Sequence, residues 1–299
     1  MNNYKFLFSI IIPTYNRETD LDRCLKSLVE QTYKDFEVIV CDNGSSDNTK
    51  AVAMDYVNKL NLSYIFIEEN SGGPAAPRNL GIEKALGQWV CFLDSDDWYT
   101  SDRLEYISNL DLNIVDFLYH NLEIVKKGKR YKTMTCRKLS STNTYYSLLC
   151  NINSIPTSST CIRNEMLKKT DGFNESKNIS GLEDFELWLK LAKVNVKFTY
   201  VPVVLGYYAV GDDNFTYHDE RQVNRYKALY NPIIEHENNR KIRQQIKAVL
   251  NYHIACINIK SKQYFKANKL LISCFINGTY QLRKKILFRF LIGLVSFFK

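Results

Sequence analysis

Hydrophobic positions follow two alternating rhythms over the first hundred residues. The runs FSIII (8–12), FEVIVC (36–41), SYIFI (63–67) and WVCFL (89–93) are short and rich in β-branched and aromatic residues. Their near-continuous hydrophobicity predicts strands buried on both faces, as in a parallel sheet covered by helices. Helical spacing fills the gaps. In TDLDRCLKSLVEQ, Leu21, Cys24, Leu25 and Leu28 recur at i, i+3, i+4 and i+7, with Thr19 as the N-cap. In TKAVAMDYVNKL, Val52, Tyr56, Val57 and Leu60 share one face. Strand–helix–strand repeated in this way predicts a doubly wound α/β unit.

Further along, VDFLYH and KRYKTMT read as strands joined by a KKGK turn, and KFTYVPVVLGYYAV as another strand. GLEDFELWLKLAK (181–193) reads as an amphipathic helix with Leu187 and Leu191 inward and Trp188 on the same side. Past 218 the pattern is helical. Ile246, Val249, Leu250, His253, Ile254 and Ile257 form one stripe, and Phe265, Leu270, Leu271, Cys274 and Phe275 a second.

Each early strand ends in polar or special residues: PTYNR, DNGSSD, ENSGGP and DSDD. Ligands of open α/β sheets bind at the carboxyl ends of the strands, so four such ends predict a nucleotide-sized site. The last is the most unusual, because FLDSDDW crowds three aspartates directly behind a buried run. Charges that close raise one another's pKa unless something positive sits among them. A solvated turn with a helix cap is one reading, and a divalent cation shared with a phosphate-bearing substrate is the other. GGPAAP (72–77) is a stiff stretch that either walls a ligand or breaks the chain before the next helix.

Composition narrows the class. With 45% hydrophobic and 24% charged residues, the 299-residue chain is an ordinary globular protein of one large or two moderate domains. Eight scattered cysteines without a C-x-x-C pair, several inside apolar runs, point to free thiols and a reducing, cytoplasmic setting. Charge is unevenly placed. Residues 1–215 carry 24 basic against 28 acidic residues, and 216–299 carry 16 against 4. That contrast sets the expected boundary: a catalytic domain over 1–215 and a basic helical region over 216–299. From Arg240 onward there is no acid, and the chain ends YQLRKKILFRFLIGLVSFFK. The apolar run is too short to span a bilayer, which needs ~20 residues, and predicts a helix lying on an anionic membrane surface. Packing of that helix on its own domain, or a homodimer contact through the C-terminal helices, is the alternative.

The ordered set SIIIPTYNR, FEVIVCDNGSSDNT, RNLGI, FLDSDDW and GLEDFELWLKLA resembles family 2 glycosyltransferases over roughly residues 6–208. The resemblance implies the GT-A fold: α/β, with a mixed, mainly parallel sheet flanked by helices, here with a C-terminal helical extension. It also implies a UDP-sugar donor, Mn2+ or Mg2+, and inversion at the anomeric carbon. Carried over by position, Pro13, Thr14, Tyr15 and Asp42 would hold the uracil and ribose, and Arg78 would lie near the nucleotide. Asp94, Ser95 and Asp96 match the family's D-x-D, with Asp94 toward the ribose and Asp96 on the metal. Asp97 would bind donor-sugar hydroxyls or cap the helix beginning near Ser101. Asp184 matches the family's general base, Glu183 would orient the helix, and Trp188 would offer the acceptor a platform. Two departures stand out. Asn43 replaces a common second aspartate, and the family's late arginine and histidine are missing near YYAVGDD, with His218 as a substitute.

The chemistry suits those residues. A departing diphosphate needs a Lewis acid, and an attacking hydroxyl needs a fixed carboxylate to take its proton. A lipid-diphosphate-linked sugar acceptor at the cytoplasmic face of the inner membrane, in O-antigen or capsule synthesis, fits the basic apolar tail. Rival classes fit less well. A sugar nucleotidyltransferase lacks its glycine-rich loop in PTYNRETD, a phosphatase lacks the residue pattern after DSD, and no nucleic-acid motif accompanies the basic tail.

Overall fold

The computed structural model describes residues 4–211 and 220–287. The chain divides into two compact units. The first comprises Met1–Ser141, Ser154–Glu175 and Lys190–Asn214, and the second comprises Thr142–Asn153, Ser176–Leu189 and Phe215–Lys299. Two short segments, 142–153 and 176–189, thus group with the C-terminal helices in the second unit. A charge profile along the chain cannot register such grouping.

The first unit carries one sheet: β1 (Phe6–Thr14), β2 (Phe36–Asp42), β3 (Leu62–Phe66), β4 (Gly87–Phe92), β5 (Trp98–Tyr99), β6 (Phe117–Lys126), β7 (Lys129–Met134), β8 (Thr160–Arg163) and β9 (Phe198–Val210). The order is β3-β2-β1-β4-β8-β6-β9-β5, with β7 on β6. The four predicted runs form the parallel half, β3-β2-β1-β4. β8 and β5 enter antiparallel, and β9 runs parallel to β6. The predicted KKGK turn is a two-residue hairpin in which Lys127 and Gly128 both take positive φ, at 50° and 73°.

Helices cover both faces of the parallel half. On one, Leu21, Cys24, Leu25 and Leu28 of α1 (Glu18–Val29) pack with Ile10, Ile12, Val38, Val40 and Cys91. Thr19 is not its cap. The cap position is Arg17, two residues earlier, and the first N–H groups are met from the junction of β2 and α2: Arg17 N–H by Thr49 Oγ1 and Glu18 N–H by Asp47. α2 (Thr49–Met54) is shorter than its apolar spacing predicts, and Tyr56 is buried from the turn that follows it. α3 (Ala75–Lys84) lies against β1 through Gly81, where any side chain would run into Ile11. α4 (Arg103–Ser108) follows β5 with Asp102 at its N-cap position. The short α6 (Asn164–Leu167) follows β8, with α5 (Thr144–Leu149) before it in the second unit.

The second unit is helical. α7 (Glu183–Lys193) begins there, followed by α8 (Glu220–His236), α9 (Arg240–Lys260) and α10 (Tyr264–Asn277), and residues 280–287 are helical as well. Ile246, Val249, Leu250 and Ile257 are buried as their spacing predicts. On α10 the inner face is Ala267, Leu271 and Cys274, so Phe265 and Phe275 point outward instead. Leu282 and Ile286 are also buried, so the described start of the tail packs into its own unit. Among the described residues no helix is long and apolar enough to cross a membrane.

The close approach of α3 to β1 makes a direct stability test. Gly81→Ala should cost about 1–3 kcal/mol by overpacking. The double variant Gly81→Ala/Ile11→Ala should lose less than the two single variants combined, measured by denaturant titration. Strict additivity would contradict the contact.

Candidate functional site

Three strand ends and two loops of the first unit build the site. β1 and β2 finish side by side, with Thr14 opposite Asp42. Asp42 is fully buried, and both carboxylate oxygens are in use: one accepts from Ser45 N–H at 2.8 Å, the other from the Tyr64 hydroxyl at 2.5 Å. It therefore shapes the turn after β2 from within. Pro13 and Thr14 are buried too, and the Thr14 hydroxyl has no hydrogen-bond partner. Tyr15, at 47% exposure, is the member of this group that offers an open aromatic face.

Asn43 has a definite task. Its amide nitrogen donates to Gly73 O at 3.2 Å, while its oxygen accepts from the N–H and hydroxyl of Ser71 at 3.1 and 3.0 Å. An aspartate could do the second but not the first. The amide thus pins the 71–73 loop, after which Pro74 stands at the N-cap of α3 and Pro77 in its first turn. Of the two readings of GGPAAP, the helix start is the one the backbone adopts. The helix then presents Arg78, buried, with Nη2 at 2.5 Å from Asp94 Oδ1 and its guanidinium over the Phe173 ring.

The acidic loop leaves β4 at Asp94 and is held from three sides. Ser158 Oγ accepts from Asp94 N–H at 3.1 Å and donates to Asp97 Oδ2 at 2.5 Å. Ala209 N–H donates to Asp97 Oδ1 at 2.9 Å. Arg23 donates to the Asp96 carbonyl at 2.8 Å and to Asp20, and lies over the Trp98 ring. Ser95 is buried at the bend. Asp97 is 1% exposed, with both oxygens taken by the protein. It neither caps α4, whose cap position is Asp102, nor faces open solvent. It locks the loop.

Charge in this loop is only partly balanced. Burial first, then Asp94 and Asp20, push Asp96 up to about 6, with Arg17 pulling the other way. Burial, then Asp96 and Asp94, hold Asp97 well above the usual carboxylate range despite the hydrogen bonds from Ser158 and Ala209. Asp94 faces Arg78 directly. Among the described residues no group of three or more His, Cys, Asp or Glu is placed to hold a metal by itself. Such a loop suits a cation that completes its shell with phosphate oxygens and water.

Glu183, Asp184 and Trp188 belong to the second unit. Glu183 is buried and accepts from Gly181 N–H, which closes the turn ahead of α7. Asp184 is half-buried, with one oxygen on Phe185 N–H at 2.6 Å. Trp188 is fully buried together with Leu187 and Leu191, so it is core and not a platform for an acceptor. The apolar face that its spacing predicted wins over the surface role. His218 lies outside the described residues.

Sequence reasoning missed Ser158 and Arg23. Ser158 sits in the hydroxyl-rich TSST (157–160), where nothing local distinguishes it from its neighbours. Arg23 occupies a polar position of α1 between inward-facing ones, like any solvated helix charge.

The chain is similar in sequence and fold to known glycosyltransferases. Residues 9–169 match the sequence profile described as Glycosyl transferase family 2. The Escherichia coli UDP-Glc:alpha-D-GlcNAc-diphosphoundecaprenol beta-1,3-glucosyltransferase WfgD is 32% identical over 194 residues, covering 64% of this chain and 71% of that protein. The Staphylococcus aureus poly(ribitol-phosphate) beta-N-acetylglucosaminyltransferase TarS is 44% identical over 100 residues, but this match spans only 18% of TarS. The crystal structure of S. aureus TarS 1-349 with UDP superposes with a TM-score of 0.64 at 25% identity, covering 89% of this chain and 80% of that one. The mannosyltransferase PcManGT of Pyrobaculum calidifontis, solved with GDP-Man and Mn2+, shares the fold at 18% identity, with a TM-score of 0.61 over 97% of this chain and 81% of that one.

The raised Asp97 carboxyl gives a signed prediction. A folded pKa above the unfolded value of about 3.9 means that ionisation opposes folding, so this group's penalty grows as pH rises through that value. Asp97→Asn keeps an acceptor for Ala209 N–H and removes the penalty. In chelator, the stability of Asp97→Asn relative to the parent should improve from pH 4 to pH 7. A pH-independent difference would contradict the burial argument.

Proposed function

Because this chain belongs to glycosyl transferase family 2, with the GT-A fold of that family, we propose that it moves a hexose from a UDP-sugar, with inversion, to a lipid-diphosphate-linked sugar acceptor. UDP-Glc, UDP-Gal and their N-acetylated analogues are the donors this reading admits. The observation that carries it is the acidic loop Asp94–Asp97 at the carboxyl end of the parallel strands, anchored by Arg78, with the Asp96 carboxyl pushed up to about 6 by burial and Asp94. WfgD and TarS support the acceptor class, since the acceptors in their names carry a diphosphate lipid and a phosphate polymer. Synthesis of a surface polysaccharide, as O-antigen or capsule, is the setting that follows.

In this reading Tyr15 lies against the base, with the backbone of Pro13 and Thr14 beside it. Arg78 pairs with Asp94 and fixes it. Asp96 would hold Mn2+ or Mg2+, which would supply Lewis-acid stabilisation of the leaving diphosphate. The acceptor hydroxyl attacks the anomeric carbon, its proton passes to Asp184, and the bond to UDP breaks. Glu183 holds the turn ahead of α7, and Asp184, half-buried beside it, is the carboxylate that takes the proton in this reading.

Peripheral association with the inner membrane surface is part of the proposal, on a narrower patch than the tail alone. Phe265 is 87% exposed, and Ile272, Ile276 and Tyr280 are exposed near it, among Lys266, Lys269, Arg283 and Lys284. Basic residues near an anionic bilayer contribute about 1 kcal/mol each, and apolar side chains add burial in the interface.

Two measurements check these statements. A panel of nucleotide sugars with Mn2+ should show hydrolysis or transfer for one UDP-hexose. With that donor, Asp184→Asn should lower kcat by roughly 10²–10⁴-fold with UDP affinity unchanged, and Glu183→Gln should do less. A dead Glu183→Gln beside an active Asp184→Asn would reverse the two roles. For the membrane, Phe265→Ser/Ile276→Ser should release the protein from anionic vesicles. Equal co-sedimentation contradicts the patch, and self-association without vesicles would assign it to a homodimer.

A further inference from the structure

The β6–β7 hairpin carries more charge than a hairpin needs. Lys126, Lys127, Lys129, Arg130 and Lys132 are all exposed, and so is Tyr131. No acid occurs between Glu123 and Glu165. Lys126 stands directly opposite Lys129 across the ribbon, an arrangement that weakens a strand pair. A fold that keeps such repulsion at a sheet edge holds a surface prepared for an anion.

A second observation ties that surface to the acidic loop. Arg130 Nη2 donates to the Tyr207 hydroxyl at 2.8 Å, and its guanidinium lies 5.3 Å from that ring. Tyr207 stacks on Trp98 at 5.1 Å with an 18° interplanar angle. Trp98 directly follows Asp97, and Arg23 lies 4.5 Å from its ring while donating to the Asp96 carbonyl. Cation, tyrosine, tryptophan and cation thus run as one stack from the basic hairpin to the D-x-D loop. Stacks of this kind are worth more than area burial alone and fix the parts relative to each other.

We propose that this hairpin is an anion-binding arm that takes the phosphate groups of the acceptor. The inference rests on the glycosyl-transfer reading and adds what it lacks, a reason for an anionic acceptor to approach a carboxylate-rich loop. Carboxylates repel a phosphate at that range, and a fixed basic arm one stack away offsets the repulsion and orients the chain. The phosphates are those covalently part of the acceptor, since the arm is joined to the reacting loop.

The test uses the full chain and inorganic tripolyphosphate as probe, in metal-free, low-salt buffer, with Trp98 emission as the readout. Lys127→Gln/Lys129→Gln/Lys132→Gln should weaken probe binding roughly tenfold, as three exposed charges warrant. The corresponding Lys→Arg triple should bind like the parent, and Lys266→Gln/Lys269→Gln on α10 should change little. A soluble sugar diphosphate should compete with the probe, and the same sugar without phosphate should not. Parent-like binding by the glutamine triple, loss in the α10 variant instead, or competition by the neutral sugar would overturn the proposal. So would a triple that loses anionic-vesicle binding while keeping probe affinity, which assigns the hairpin to the bilayer. UDP titration of the parent with Mn2+ is run separately: its failure removes the transferase reading, whereas unchanged probe affinity in the triple removes the arm.

Discussion

Asp94, Asp96 and Asp97 leave a fully buried strand within four residues, where repulsion between carboxylates is least screened. The first unit is arranged around that cost. Arg78 is carried to Asp94 by a helix that approaches β1 closely because residue 81 has no side chain. Asp97 is held by the Ser158 hydroxyl and Ala209 N–H, so two distant segments converge on one carboxylate. Asp96 keeps a charge that the protein alone does not balance, and burial pushes its pKa up to about 6. A site so arranged favours whatever brings positive charge to Asp96.

Much of this was legible in the chain. Continuous apolar runs marked four parallel strands; β1, β2 and β4 are largely buried, whereas β3, at the sheet edge, is half-exposed, and the KKGK turn was marked by its glycine. The acidic loop and Arg78 were readable because charged residues beside buried strands demand an explanation. What could not be read was tertiary in origin. Thr19 looked like a cap, yet the first N–H groups of α1 are met by Asp47 and Thr49 from the junction of β2 and α2. Asp97 looked like a ligand for sugar hydroxyls, yet its partners lie 61 and 112 residues away in sequence. Trp188 admitted two readings, and complete burial decided for core. Phe265 and Phe275 fell into an apolar stripe that the helix turns outward.

Basic charge serves two different surfaces. On the hairpin it is attached to the acidic loop through stacked rings. On α10 and the 280–287 helix it rims exposed apolar side chains, the composition of a membrane-surface element. Within α7 the neighbouring acids differ likewise: Glu183 is buried and accepts from Gly181 N–H, and Asp184 is half-buried.

Cation dependence of donor binding tests the central electrostatic claim most directly. Calorimetric titration of UDP into the protein with Mn2+, and again in excess chelator, should show binding that depends on the cation. Asp96→Ala should lose that dependence, with transfer lowered roughly 10²–10³-fold for removal of one charge-stabilising group. Equal UDP affinity in chelator and in Mn2+, or an Asp96→Ala protein that binds and transfers like the parent, would contradict a cation shared between the acidic loop and the diphosphate.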